Sequence, residues 1–585
     1  GGSASRALFA FYEQQAERTG SASSQALLEE NSHLIFEEDN AKSHGLLGIA
    51  LANDNIRKLL LAPLLVCTID HLMPATEAQR AGRQIAPMLR LMGADLVLDE
   101  LDDFDLDDLP ALTRLMHWAG LLGSRVLISS ATLPPALVQG MFEAYRAGRT
   151  HYQRNRGNHA TPTPHIACLW VDEFGAHSAP CTDTSSLLTT HTAFVQRRVS
   201  QLATQPVLRR AALLPLQIKA KEGAAIRAQF AEHIHAAILQ AHATHHEPDP
   251  ITGQHVSFGL VRMANIEPLF DVALALFQRG APAGTRIHLC VYHARFPLIL
   301  RSAIEHRLDT ALNRRQPQAV YALPEIRAAI DAHPQCQHIF VVLGSPVCEV
   351  GRDHDYDWAV VEPSSMRSLI QLAGRVQRHR QKPCTSANVL VLETNLKHFE
   401  QPGKPAFIRP GFESSETMLA SHNLHNVLHP QDYETISARP RIQCNDPLDG
   451  AGNMADLEHK RLTDVMLPSA SPTASGRGAK PNPLNAACAW QHPDAALTWI
   501  LPQQTPFREE KTPSETLLWL PDDNDDTQLI AHRIHSEASQ GKPAIYTRES
   551  SRITTINLNQ LLGTGIAPWG GEPDLRALLA EQQQA

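Results

Sequence analysis

Early in the chain a short apolar run leads three times into a polar cluster. Leu64–Cys67 runs into Thr68–His71, Leu96–Leu98 into the acidic string Asp99–Asp102, and Val126–Ile128 into Ser129–Thr132. Uninterrupted apolar runs of this length predict buried strands, and in open parallel sheets ligands collect at the C-terminal strand ends. Between the second and third runs, Leu109–Gly123 carries apolar residues at helical spacing and closes on a glycine, which predicts a crossover helix. Strand, helix and strand in this order predict a parallel sheet.

Further along, His165–Val171 and Ala211–Ile218 read as strands and Ala231–Ala243 as a helix. A second series follows, with strands expected in His255–Asn265, Arg286–Phe296, His338–Ser345, Asp357–Pro363 and Asn388–Glu393, separated by helical stretches such as Glu267–Gly280. The pattern then loosens, and Leu467–Pro483 has the Ser/Pro/Gly/Ala composition of a linker. The fold expected is α/β: a first parallel-sheet lobe over residues 1–215, a second over 216–395, a linker region over 396–483 and a C-terminal accessory domain over 484–585.

A chain of 585 residues has room for several domains of roughly 100 to 200 residues each. Its 43% hydrophobic content is that of a globular protein, and a net charge of −9 means that any nucleic-acid binding must come from a local basic groove. The nine cysteines include no CxxC pair, which disfavours a disulfide framework or a structural zinc site. No apolar run approaches the roughly 20 residues needed to span a bilayer. The first residues, GGSASRALFAFYEQQ, lack the layout of a signal peptide, so a cytoplasmic location without a membrane partner is expected.

Three strings carry candidate chemistry. In DELD, Asp99 is placed to hold Mg²⁺ through water and Glu100 to orient or deprotonate the attacking water of NTP hydrolysis, while Asp102 couples to the neighbouring loop. An acidic loop after a strand, or a two-metal nuclease, is the alternative, and Asp103, Asp105, Asp107 and Asp108 suit a solvated helix start. In SSAT, the Ser130 and Thr132 hydroxyls can bond the DELD carboxylates, the alternative being a turn before Pro134. In QLAGRVQRHR, Gln371, Gly374, Arg375 and Arg378 fall along one helical face, where the two arginines could clamp a γ-phosphate or form a solvated basic surface. Just upstream, Gly351 and Asp353 could meet ribose or phosphates and Ser345 and Glu349 a nucleic acid, or the segment could be a plain glycine turn.

These strings, with VCTIDHLM, VRMAN, YHARF and GSPVCEVGRDHDYDW, resemble superfamily 2 helicases. More closely, they resemble the helicase portion of the CRISPR-associated helicase-nuclease of type I systems, in the fused subtype I-F form. The resemblance implies tandem RecA-like lobes, ATP and Mg²⁺ as cofactors, and 3′-to-5′ translocation on DNA. It assigns metal and water handling to Asp99, Glu100 and Asp102, coupling to Ser130 and Thr132, and γ-phosphate contacts to Gln371, Arg375 and Arg378. It places DNA-strand contacts near Thr68, His71, Arg262, His293, Arg295 and Ser345. Implied partners are single-stranded DNA, an RNA-guided surveillance complex and the adaptation integrase, with a phage-encoded inhibitor as a further candidate.

The family's GxxxxGK[ST] phosphate loop does not precede DELD here. The first lobe is therefore expected to be N-terminally incomplete, with that loop and a metal-dependent nuclease upstream of residue 1, so that the chain alone would be inactive. Alternatives are a different superfamily 2 helicase, acting on RNA or DNA, and a non-catalytic binding module. Finally, His233, His235, His242, His245 and His246 fall in or after the helix at Ala231–Ala243, and His242 and His246 could share a metal. Without HExxH or a cysteine partner, histidines on a wet helix face are expected.

Overall fold

The computed structural model describes residues 60, 62–77, 84–156, 165–349, 351–467, 507, 517–522, 529–536, 545–550, 553–554, 556–570 and 578. The chain start, the linker composition beyond Leu467, Cys488 and much of the expected C-terminal domain lie outside them. The described residues form two units: one runs to Gln205 and resumes at Ser437, the other runs from Pro206 to Ile436 and takes in the last strands. No described helix is long and apolar enough to cross a membrane.

In the first unit, helix α1 (Ile85–Gly93) leads to strand β1 (Leu96–Asp99), helix α2 (Leu109–Leu122), strand β2 (Val126–Ser129) and helix α3 (Pro135–Arg156). Strands β1 and β2 pair in parallel, Leu96 opposite Val126 and Asp99 opposite Ser129, as strand–helix–strand order requires. Gly123 ends α2 in the left-handed conformation at φ 98°, and its N–H closes on the Ala119 carbonyl at 3.0 Å. α2 and α3 pack so closely that a Cβ on Gly148 would lie 2.0 Å from the His117 carbonyl oxygen, so only glycine fits there. A hairpin of β3 (Ile166–Asp172) and β4 (Gly175–Cys181) and helix α4 (Thr184–Leu202) follow, the helix started by an Asp183–Ser186 capping box.

The expected strand at Leu64–Cys67 does not form: Leu64 is 79% and Val66 86% exposed, and β2 is the only partner of β1 among the described residues. An apolar run becomes a strand only when a neighbour takes its backbone hydrogen bonds. Val97 and Leu127, on one face of β1 and β2, are exposed.

The second unit is built on one large sheet. Its strands are β5 (Ala211–Leu214), β7 (His255–Arg262), β8 (Thr285–Tyr292), β9 (Gln337–Gly344), β10 (Trp358–Val361), β11 (Val389–Leu392) and β15 (Ile566–Pro568), with the short β6 (Glu247–Pro248) antiparallel on β7. The order is β15-β8-β9-β7-β10-β11-β5, and every neighbouring pair in it is parallel. Helices α5 (Gly223–Thr244), α6 (Ile266–Arg279), α7 (Leu298–Ala311) and α8 (Pro324–Asp331) connect these strands, and α9 (Met366–Ala373) crosses from β10 towards β11. The central strands β7, β9, β10 and β11 are buried almost throughout, the pattern a sheet with helices on either side demands. Gly259 makes room for the fully buried Trp358 ring, which a Cβ would meet at 2.2 Å.

The chain beyond residue 483 contributes an antiparallel sheet of β12 (Leu517–Pro521), β13 (Leu529–Ser536) and β14 (Ile545–Arg548), and also β15, which edges the large sheet beside β8. Back in the first unit, after Ser437, the longest described helix is α10 (Met454–Met466).

Of the five histidines at and after α5, two are not on a wet face, and His233, His245 and His246 are half-buried. His235 and His242 are 7% and 3% exposed; His235 bonds the Gly280 carbonyl, and both ring nitrogens of His242 are engaged, by Ser257 Oγ at 2.7 Å and Gln337 Oε1 at 3.0 Å. Neither nitrogen of His242 is left for a metal. Burial drives several such imidazoles neutral, with His117, His191, His242 and His459 pushed down to about 4. Below the unfolded value of about 6.5 the unfolded chain gains protons that the folded one refuses until about 4. Stability should therefore fall as pH drops through that window. Denaturant titrations at pH 7 and pH 5 should differ by roughly 1 to 2 kcal/mol per histidine in the unit that carries it; equal stability at the two values would contradict the assignment.

Candidate functional site

β1 delivers the DELD string to the C-terminal edge of its sheet, and β2 delivers SSAT alongside. Glu100 turns the chain out of the strand in the left-handed conformation at φ 51°, with its N–H on the Ser129 carbonyl at 2.7 Å. That turn drops Asp102 under the neighbouring loop, where it is 4% exposed. The hydroxyls of Ser130 and Thr132 both donate to it, one to each carboxylate oxygen, and the Thr132 N–H donates to Ser130 Oγ at 3.3 Å. The expected hydroxyl contacts to DELD thus fall on Asp102 from two hydroxyls at once.

Asp99 and Glu100 stay at the surface. Burial, then the carboxylates of Asp103, Asp102 and Asp99, push Glu100 above the ordinary carboxylate value, against a lowering bond from Ser130. A carboxylate made more basic in this way suits proton acceptance from water. The carboxylates that come within 4.8 Å of one another are those of Glu100, Asp102 and Asp103, not Asp99, the residue to which sequence assigns the metal. Asp102 accepts from two hydroxyls, Asp103 is half-buried and Glu100 is exposed. An oxygen-only set of this kind fits a hard divalent cation that keeps several waters.

The second unit holds QLAGRVQRHR, and here the expected helix fails. α9 ends at Ala373, so Gln371 is helical while Arg375 and Arg378 are not. The cause is tertiary. Tyr356 and Val376 form a bridge, the Tyr356 N–H bonding the Arg375 carbonyl at 2.9 Å and the Gln377 N–H the Tyr356 carbonyl at 3.0 Å. Asp355, fully buried, then gathers the backbone N–H groups of Arg378, His379 and Arg380 at 3.2 to 3.3 Å and the Arg380 Nε at 2.9 Å. Gln377 and Gln381 take positive φ on either side to wrap the chain around this carboxylate.

Arg380 is thereby structural, shared with Asp357, whose carboxyl burial alone would raise but which Arg314 and Arg380 hold down at about 2. Arg378 points outward, about 41% exposed, and pairs with Asp353 at 2.6 Å. Arg315 and His379 converge on the same Asp353 carboxylate. Arg375 donates to the Glu349 carbonyl at 2.6 Å. Gly351, at φ 67°, sits exposed at the turn that sends the chain towards Asp353.

The residues expected at DNA divide in two. Arg262 is wholly buried: it pairs with Glu349, and donates to the Glu362 carbonyl at 2.8 Å and Ser364 Oγ at 2.9 Å. Glu349 and Ser345 are buried with it, so in this structure these three brace the loop after β9 instead of facing a ligand. Arg295 is exposed, beside His293 stacked on Phe296 at 4.3 Å. Thr68 and His71 are half-buried at a helical turn in the first unit, where burial lowers the His71 imidazole.

A parallel α/β sheet, an acidic strand-end string tied to a hydroxyl loop, and a separate basic loop braced by buried carboxylates are what the described residues offer for function. Comparison with known proteins narrows this. Residues 255–381 match the family described as CRISPR-associated nuclease/helicase Cas3, C-terminal. The chain is 45% identical over 575 residues to the CRISPR-associated nuclease/helicase Cas3 subtype I-F/YPEST of Pseudomonas aeruginosa, covering 97% of this chain and 51% of the relative. The Pectobacterium atrosepticum protein of the same description is 43% identical over 529 residues, covering 88% of this chain and 46% of its own length. Among solved structures, T. fusca Cas3 with ADP aligns over 61% of this chain and 35% of its own, with 23% identity and a TM-score of 0.41. The chain belongs to the Cas3 nuclease/helicase family, subtype I-F/YPEST, and spans about half the length of the curated relatives it matches.

Sequence reasoning missed Asp355, whose carboxylate sets the shape of the basic loop. Asp355→Asn should destabilise the second unit by about 3 to 5 kcal/mol in denaturant titration, because it strands the buried Arg380 guanidinium; a loss below about 1 kcal/mol would show that Asp357 alone satisfies Arg380.

Proposed function

We propose that this chain is the ATP-driven helicase and translocase part of a CRISPR interference helicase-nuclease. It moves 3′-to-5′ along single-stranded DNA, and its whole protein degrades invading DNA after recruitment by an RNA-guided surveillance complex, with the adaptation integrase as a further partner. The observation that carries the reading is Asp102 accepting from both Ser130 and Thr132, which joins the acidic loop to its neighbour as a motor must to pass on its nucleotide state. The phosphate grip and the nuclease are assigned to the remaining half of the relatives' length.

In the proposed reaction, Glu100 takes the proton of the attacking water, a task its raised basicity favours. Asp99, at the same acidic cluster, would hold Mg²⁺ through water, which when bound supplies charge neutralisation at the phosphates and leaves the Glu100 carboxylate to the attacking water. Arg375 and Arg378 supply positive charge to the γ-phosphate, with Gln371, Gly351 and Asp353 around them. DNA contacts are assigned to Thr68 and His71 in the first unit and to His293 and Arg295 in the second, and loops of this kind would hold backbone phosphates with steep salt dependence.

In the full-length protein, Glu100→Gln should lower single-stranded-DNA-stimulated ATP hydrolysis by roughly 10² to 10⁴-fold and leave DNA affinity unchanged. Equal loss of binding and turnover would sink the water-handling role. Stimulation by RNA but not DNA would point to another superfamily 2 helicase, and no turnover in the full-length protein to a binding module. Arg378→Ala should lower the same turnover by about 10³-fold or more; unaltered hydrolysis would return Arg378 to a solvated basic surface.

A further inference from the structure

Beyond the second unit the chain returns to the first at Ser437 and places a cation beside DELD. Residues 437–467 fell within the expected linker region, yet they are ordered by specific bonds. Asn453 caps α10 by accepting the Ala455 N–H at 2.8 Å and the Asp456 N–H at 3.1 Å. His459, on the same helix, donates from Nε2 to the Pro440 carbonyl at 2.8 Å, which fixes the short helical turn Arg439–Ile442 against it. That turn carries Arg441.

Arg441 is 1% exposed. Its Nη1 donates to Glu458 Oε2 at 2.8 Å, and its Nη2 lies 3.9 Å from Asp102 Oδ2, the oxygen that accepts from Thr132. Asp102, Arg441 and Glu458 are all 4% exposed or less. In so dry a place two hydroxyl donors are a weak complement to a carboxylate, and a guanidinium at this distance acts on it with little screening. Glu458 in turn fixes where the guanidinium sits.

We propose that Arg441 is a positioning residue for ATP hydrolysis: held by Glu458, it keeps Asp102 in the orientation that accepts both Ser130 and Thr132. It reaches neither the nucleotide nor the attacking water and acts through Asp102. The segment 437–467 is then part of the motor and not a spacer. This rests on the reading of DELD and SSAT as motor loops.

The test is done in the full-length protein, with kcat and KM for ATP measured in the presence of single-stranded DNA and the unfolding midpoint followed in parallel. Arg441→Met paired with Glu458→Met removes the buried pair together and leaves Asp102 to its two hydroxyls, and the unfolding midpoint reports whether the variant folds. Its kcat should fall by roughly tenfold with KM unchanged. A folded double variant with wild-type kcat would overturn the proposal. Should that variant not fold, Arg441→Lys, which keeps a cation, is crossed with Thr132→Val. Arg441→Lys is expected to lower kcat alone but to add nothing once Thr132 has lost its hydroxyl; no effect alone, or fully additive effects, would overturn the proposal equally. Absence of hydrolysis in the wild-type protein would instead count against the motor reading itself.

Discussion

Asp355 has no contact with solvent, and a carboxylate in that position must be surrounded by donors. Three consecutive backbone N–H groups and the Arg380 side chain provide them. To bring those groups to one point the chain must leave its helix at Ala373, bridge to Tyr356 and take two left-handed turns. The outward direction of Arg378 follows from that path, because the residue between the bridge and the buried Arg380 has only the surface left to it. One buried charge thus determines which arginine of the string is structural and which is presented.

The first unit uses the same device. Asp102 draws two hydroxyls from a neighbouring strand end and has a guanidinium of the returning segment beside it. In both units a buried acid connects separate stretches of the chain, and its carboxylate oxygens are met by donors from them. Buried ion pairs are weak sources of net stability, so their contribution here is better understood as specificity of loop geometry.

This division explains what was legible in the sequence. The strand at Leu96–Leu98, the helix from Leu109 and the five strands of the second series could be read because apolar runs and helical periodicity are local, and the parallel pairing follows from their order. The proximity of Asp102 to Ser130 and Thr132 was also legible, since neighbouring strand ends in a parallel sheet must meet. The helix through Arg378 was not, because its spacing is ideal and only a remote carboxylate breaks it. Leu64–Cys67 failed for a related reason: an apolar run states a preference for burial but does not supply the neighbouring strand. Arg262 and Glu349 looked like ligand contacts by type, yet opposite charges facing each other in a dry loop satisfy one another first. Arg441 carried no signal at all, as nothing near it in sequence reveals that it lies beside Asp102.

Arg378 itself shows why buried and exposed pairs have different roles in one loop. Burial alone would raise the Asp353 carboxyl, but His379 and Arg378 hold it well below the usual carboxylate range. Even so, Asp353 and Arg378 are each more than 40% exposed, and pairs so open to water contribute about 0 to 1 kcal/mol. Arg378 can therefore exchange Asp353 for an incoming anion at little cost, whereas Arg380 cannot leave Asp355 and Asp357 without stranding buried charge. The loop is rigid where its buried acids hold it and exchangeable at the guanidinium it exposes. The motor proposed for this chain, which would release and regain a multiply charged anion each cycle, would need that combination, since a rigid arginine clamp would not let go and a loose one would not be aimed.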